Sequence, residues 1–214
     1  VKKNTVVAID GPVGSGKSTI SRKAAEKLGF IYVDTGALYR ALGVFFEEKR
    51  IDFNTNVKVD IRFIDKEQRV FVDDTDYTDK IRTPKASMLA SAVSAKPEVR
   101  EFLLELQRSF AKNNSVIMDG RDIGTVVLPD ADIKIFLTAD AKERAKRRYD
   151  ELILKGTSVE FDDVLKDLEK RDYDDSHREH APLKKADDAI VADTTGNTFN
   201  ESVALVLKII EDRL

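Results

Sequence analysis

Cysteine is absent from this 214-residue chain, which excludes disulfides and thiolate-held metals. Long apolar runs are absent too: none approaches the ~18 residues that a membrane-spanning helix needs. Neither sign of charge is in large excess. The formal net charge is −3, so no global field draws the chain to nucleic acid or to an anionic membrane. Histidine is scarce. His177 and His180 sit close together, but no third ligand of fitting spacing accompanies them, and a metal site there is not expected. The sequence has no internal repeat, no low-complexity tract and no Asn-Lys-x-Asp motif of the kind that marks guanine switches. Lys2-Lys3 and a short apolar stretch precede Asp10, too little for the core of a signal peptide, and a cytoplasmic location is expected. What remains, 42% hydrophobic and 35% charged, suits one globular domain with small insertions.

Against that background one stretch stands out. Gly11-Pro12-Val13-Gly14-Ser15-Gly16-Lys17-Ser18 matches G-x-x-x-x-G-K-[ST], the phosphate-cradling loop. Glycines let successive N–H groups turn inward around an anion. Lys17 brings a point charge to the outer phosphates, and the Ser18 hydroxyl is a magnesium ligand candidate. The flanks fit the motif. Thr5 to Ile9 is a β-branched run, and Ile20, Ala24 and Leu28 recur at helical spacing, which aims a helix N-terminus at the phosphates. Chance alone yields such a match in about one chain in a hundred of this length.

Further strands are expected at Phe30–Val33, Ser115–Met118, Ile133–Leu137 and Ala189–Val191, alternating with helices, the pattern of an open α/β sheet. Polar residues just past strand ends sit where such sheets bind ligands, which makes Thr35 and Arg40 candidates. Taken alone, a helix cap at Thr35 and a surface charge at Arg40 are the readier readings. From about residue 55 the pattern alternates at period two. Val57–Ile64 and Val70–Val72, joined through Asp65-Lys66-Glu67-Gln68, read as a hairpin inserted between core units. Helices follow from Pro84 and Pro97, with Ser91 and Arg100 bracketing their junction. Asp119, at the tip of the third strand, is the second magnesium candidate, through water. Arg144, Arg147 and Arg148 lie on one late helix. Arg171, Asp175 and Arg178 share a face of the next if it continues. They suit a mobile lid over a phosphoryl group, although charge pattern alone favours surface ion pairs such as Glu143 with Arg147.

Six segments carry a resemblance: IDGPVGSGKST, VDTGALYRAL, IRT followed by SAVSAKPEVR, MDGRDIGTVVLPDADIKIFLTA, ERAKRRYDEL and RDYDDSHREHAPLKKADDAI. In this order the chain resembles the bacterial cytidylate kinases, of the nucleoside monophosphate kinase family of P-loop proteins. The resemblance implies a three-layer P-loop kinase fold, with a five-stranded parallel sheet flanked by helices. It implies a core over about 1–54, 96–140 and 180–214, a monophosphate-binding insertion at about 55–95 and a helical lid at about 141–179. The implied reaction moves the γ-phosphate of ATP, with Mg²⁺, to CMP or dCMP, in pyrimidine nucleotide metabolism, and the implied protein is a monomer.

Carried over by position, Gly11 to Thr19 bind the ATP phosphates, and Thr35 and Arg40 hold the monophosphate. Ser91, Arg100 and Asp122 read cytosine. Arg121, Arg171, Asp175 and Arg178 hold the acceptor's phosphate and sugar, with Lys17, Arg121 and Arg178 as the catalytic charges. The chemistry agrees: a carboxylate at Asp122 accepts from the cytosine amino group, and Arg100 and Ser91 donate to O2 and N3. Ala86, Ser94 and Asp174 depart from the family pattern without removing a ligand. The rival readings are a kinase of another small molecule and a nucleotide switch.

Overall fold

The computed structural model describes residues 4–53, 56–65 and 67–214. Lys2-Lys3, Lys66 and the boundary at 54–55 fall outside them. In chain order the elements are β1 (Val6–Asp10), α1 (Lys17–Leu28), β2 (Ile31–Asp34), α2 (Thr35–Lys49), β3 (Val59–Ile64), β4 (Glu67–Val72), β5 (Thr75–Asp76), α3 (Pro84–Ser94), α4 (Pro97–Asn113), β6 (Val116–Gly120), a π-helical turn (Ile123–Val127), β7 (Ile133–Thr138), α5 (Ala141–Leu154), α6 (Phe161–His177), β8 (Ile190–Asp193) and α7 (Phe199–Glu211).

Five strands form one parallel sheet in the order β2-β6-β1-β7-β8. The central strands have no wet face. Val7, Ala8, Ile9, Val116, Ile117 and Met118 are all fully buried, as a parallel sheet covered on both sides requires. One cover is α1 and α7. Ile20, Ala24, Val203, Val206 and Ile210 pack there against Ile9, Ile135 and Leu137. The other cover is α2 with α3 and α4, built on Leu38, Leu42, Phe45, Val99 and Leu103. Chain order reverses at β1, so the carboxyl ends of β1 and β6 open onto one crevice.

The expected hairpin is a three-stranded antiparallel sheet, β3-β4-β5. Glu67 and Gln68, expected in the turn, belong to β4 and pair with Ile64 and Phe63. Asp65 carries the left-handed conformation that the tight reversal demands, φ 53°. This sheet does not form a core of its own. Val57, Ile61, Val70, Val72 and Tyr77 join the same apolar cluster as Phe45 and Phe46 of α2. One polar tie adds to this. The Gln68 amide accepts from the Asp34 N–H at 2.8 Å and donates to the Asp34 carbonyl at 3.0 Å, joining β4 to the end of β2.

Candidate active site

The loop between β1 and α1 wraps the N-terminus of α1. Gly14 and Gly16 have φ of 72° and 85°, a region that glycine enters without strain. Lys17 is buried, and its Nζ donates to the Pro12 carbonyl at 2.8 Å. Burial, then the Arg121 charge, pushes the ammonium down to about 7. Ser18 Oγ donates to Asp119 Oδ2 at 2.9 Å, and the Tyr32 hydroxyl donates to Asp119 Oδ1 at 2.9 Å. Asp119 is 3% exposed; burial, then the Asp34 charge, raises its carboxyl to about 6. Of the loop residues, Val13 through Thr19 line the cleft, and Gly11 and Pro12 do not.

That cleft, of about 840 Å³, also receives Thr35, Arg40, Ser91, Arg100, Arg121, Asp122, Arg171, Asp175 and Arg178. The structure therefore brings every acceptor-side candidate to one cavity with the loop. Eleven Lys and Arg line it against five Asp and Glu, on a chain whose net charge is −3. The positive field is local, which is what a polyanionic ligand needs.

The charges are held in named pairs. Asp122 accepts from Arg100 and faces Arg178 at 3.6 Å, and its side chain is only 6% exposed. The Arg100 guanidinium lies over the Tyr39 ring at 5.5 Å, and Arg100 also donates to the Ser94 carbonyl, which fixes the α3–α4 junction beside Ser91. Arg121 Nε donates to Asp175 at 2.7 Å. Burial alone would raise the Asp175 carboxyl; the charge and hydrogen bond of Arg121, with Arg178 and Arg171, hold it below the usual range. Burial, then a neighbouring guanidinium (Arg121 for Arg171, Arg100 for Arg178), lowers Arg171 and Arg178 as well. Arg171 Nε and Arg178 Nη2 are buried without a hydrogen-bond partner. Buried donors without a hydrogen bond are costly, and an anion within reach of these two would offset that cost.

Two of the readier readings from residues alone fail here. Asp34, not Thr35, caps α2, accepting from Ala37 N. The Thr35 hydroxyl donates to the Asp119 carbonyl at 2.8 Å. Arg40 is not a free surface charge but pairs with Asp34 at 2.7 Å. α6 does run to His177, so Arg171 and Asp175 share its inner face and Arg178 caps it. The expected Glu143–Arg147 ion pair is present, and Arg147 also donates to the Thr194 carbonyl. Arg144, expected with them, does not line the cleft but reaches the tip of the loop, where its Nη1 donates to Val13 O.

Residues that the sequence did not single out also matter. Asp10, at the end of β1, accepts from Ile123 N and Gly124 N, both at 2.8 Å, and so seats the turn that carries Asp122. Its signal was a charge closing an apolar strand. Burial raises the Asp10 carboxyl to about 6. The native state therefore takes up this proton at higher pH than the unfolded chain, and stability from this group grows as pH falls from about 6 to about 4, by about 3 kcal/mol. Melting curves of the wild type and Asp10→Asn across that range test this: the wild type gains on the variant toward pH 4, and parallel curves would remove the assignment. Tyr32 orients Asp119 through its hydroxyl, and Tyr39 lies under the Arg100 guanidinium.

Ser18 and Asp119 offer hard oxygen donors to one point. Among the described residues no group of three or more His, Cys, Asp or Glu could hold a metal ion. An oxygen pair without a full cage fits Mg²⁺, which keeps waters and phosphate oxygens as ligands.

The family model for cytidylate kinase matches residues 7–212. The curated cytidylate kinase of Carboxydothermus hydrogenoformans is 49% identical over 213 residues, covering 95% of this chain and 96% of that protein. That of Leuconostoc mesenteroides subsp. mesenteroides is 46% identical over 220 residues, covering 99% and 98%. Among solved structures, a gluconokinase from Sinorhizobium meliloti 1021 superposes with a TM-score of 0.53 at 12% identity, covering 97% of this chain and 92% of that one. A shikimate kinase from Bacteroides thetaiotaomicron gives 0.50 at 12% identity, covering 97% and 98%. At such identities the likeness speaks for the fold, which is that of the P-loop kinases. By sequence over nearly its whole length, the chain belongs to the cytidylate kinase family.

Proposed function

We propose that the protein transfers the γ-phosphate of ATP to CMP or dCMP, giving ADP and CDP or dCDP. The observation that carries this reading is the meeting, in one cleft, of the Lys17 loop with the Arg100–Asp122–Arg178 and Arg121–Asp175 pairs. ATP phosphates lie in the loop under Lys17. The cytosine amino group donates to Asp122, while Arg100 and Ser91 donate to its ring acceptors. Asp175 accepts from a sugar hydroxyl. Thr35, Arg40, Arg121, Arg171 and Arg178 surround the acceptor phosphate.

The nucleophile is an anionic phosphate oxygen, so no general base is required. Catalysis is positioning plus charge stabilisation. Lys17, Arg121 and Arg178 stabilise the transferring group from fixed positions, which avoids reorganisation at the moment of transfer. Ser18, with Asp119 through water, would hold Mg²⁺, which when bound offsets charge on the donor's outer phosphates.

We read about 55–95 as the acceptor-binding insertion and about 141–179 as a lid that closes over ATP and excludes water. The cleft is complete within one chain, which supports a monomer, and no helix of the described residues is long and apolar enough to cross a membrane. The place of action is read as the cytoplasm.

The test is ADP release with Mg·ATP against CMP, dCMP, UMP, AMP and GMP, with a control lacking acceptor. Turnover confined to CMP and dCMP is expected. Turnover with AMP or GMP would discard the base contacts, and ADP release without acceptor would discard the closed-lid kinase.

A further inference from the structure

The tip of the phosphate loop is held by side chains from 130 and more residues along the chain. Asp172 Oδ1 accepts from Val13 N at 2.9 Å, and Arg144 Nη1 donates to Val13 O at 2.6 Å. Arg144 Nη1 is also 2.6 Å from Asp172 Oδ2, so the two side chains close a ring on one residue of the loop. Arg144 is fixed independently, because its Nε donates to the Ala139 carbonyl at 2.9 Å. The packing agrees with the polar contacts. Val13, Ala145 and Leu168 form a small apolar cluster of their own. A Cβ on Gly14 would meet Leu168 Cδ1 at 3.1 Å and the Arg144 carbonyl at 3.2 Å, so loop and helices are in close contact.

The pair is costly unless it has work to do. The Arg144 side chain is 8% exposed and that of Asp172 21%, and an ion pair taken largely out of water often contributes less stability than apolar residues of the same volume. Its two members lie on α5 and α6, and Asp172 stands next to Arg171 and one turn before Asp175. Both of those line the acceptor side of the cleft. Val13 is thereby tied directly to the helix that carries Arg171 and Asp175.

We propose that Arg144 and Asp172 are positioning residues, a clamp on Val13 that sets the shape of the phosphate loop and couples donor binding to the acceptor-binding face of α6. This rests on reading the loop as the donor site. Neither residue touches the reacting groups, and each acts through the backbone of Val13.

Calorimetric titration of ADP and of CMP, singly and together, tests it on the wild type, Asp172→Asn, Arg144→Lys and Lys17→Ala. Loss of the clamp is expected to weaken ADP by about tenfold and leave CMP alone within about twofold. It also brings the factor by which ADP changes CMP affinity toward one. A mere brace would lower the melting temperature and leave both affinities and that factor within about twofold of wild type, which overturns the proposal. Should Asp172→Asn not fold, Arg144→Lys decides by the same readouts, since it keeps the charge and removes the fork. Lys17→Ala separates the two claims. If it binds ADP as the wild type does, the donor-site reading fails. If it alone loses ADP, that reading stands and the clamp fails.

Discussion

Lys17→Ala is expected to lower the turnover number by about 10²–10³-fold, some 3–4 kcal/mol of transition-state stabilisation, with the affinity for CMP alone unchanged within about twofold. The ammonium stands over the phosphate loop, its Nζ on the Pro12 carbonyl. It holds there at a cost: burial and the Arg121 charge push it down to about 7, so the folded protein carries a cation that it holds less readily than the unfolded chain does. Its removal is therefore not expected to lower the melting temperature by more than a few degrees. A large loss of turnover without a large loss of stability is the signature of a residue retained for chemistry. Steady-state rates beside thermal unfolding on one preparation check it, and an unchanged turnover number would end the role.

Asp122→Asn is expected to have the second largest effect, on selectivity. The carboxylate faces Arg100 and Arg178 in a nearly dry pocket. An asparagine leaves both guanidiniums short of charge, and removing one partner of a buried pair costs about 3–5 kcal/mol. We expect kcat/KM for CMP to fall by about 10²–10³-fold. The change falls unevenly on the two pyrimidines. Asparagine can donate to the uracil O4, which the carboxylate cannot, so the preference for CMP over UMP shrinks by about tenfold or more. Parallel losses for CMP and UMP would mean that Asp122 holds the arginines in place but does not read the base.

Much of the fold was legible because its signals are local. A β-branched run before a glycine-rich loop, and apolar residues at helical spacing after it, mark β1, the phosphate loop and α1 from sequence alone. The order β2-β6-β1-β7-β8 was not legible by such means, since it depends on pairings such as Ile9 with Asp119, which no local pattern encodes. The two-residue strand β5 is too short to show alternation. In the site, residues at strand ends were visible, and family resemblance supplied Ser91 and Arg100. Asp172 was hidden among its acidic neighbours Asp174 and Asp175, and only the folded chain shows that it alone of these turns toward Val13. Thr35 and Asp34 are both good caps by composition. The choice between them was made at long range, by the Asp119 carbonyl that takes the Thr35 hydroxyl.

The amide of Gln68 has a meaning beyond joining two sheets. β2 is an outermost strand of the parallel sheet, and an outermost strand offers unpaired N–H and C=O groups to any extended chain it meets. At Asp34 those groups are already taken, by a side chain that gives one hydrogen bond and receives another as a neighbouring peptide would. A single glutamine thus imitates one residue of a sixth strand and stops the sheet there. The same two hydrogen bonds leave those groups of Asp34 unavailable to another extended chain.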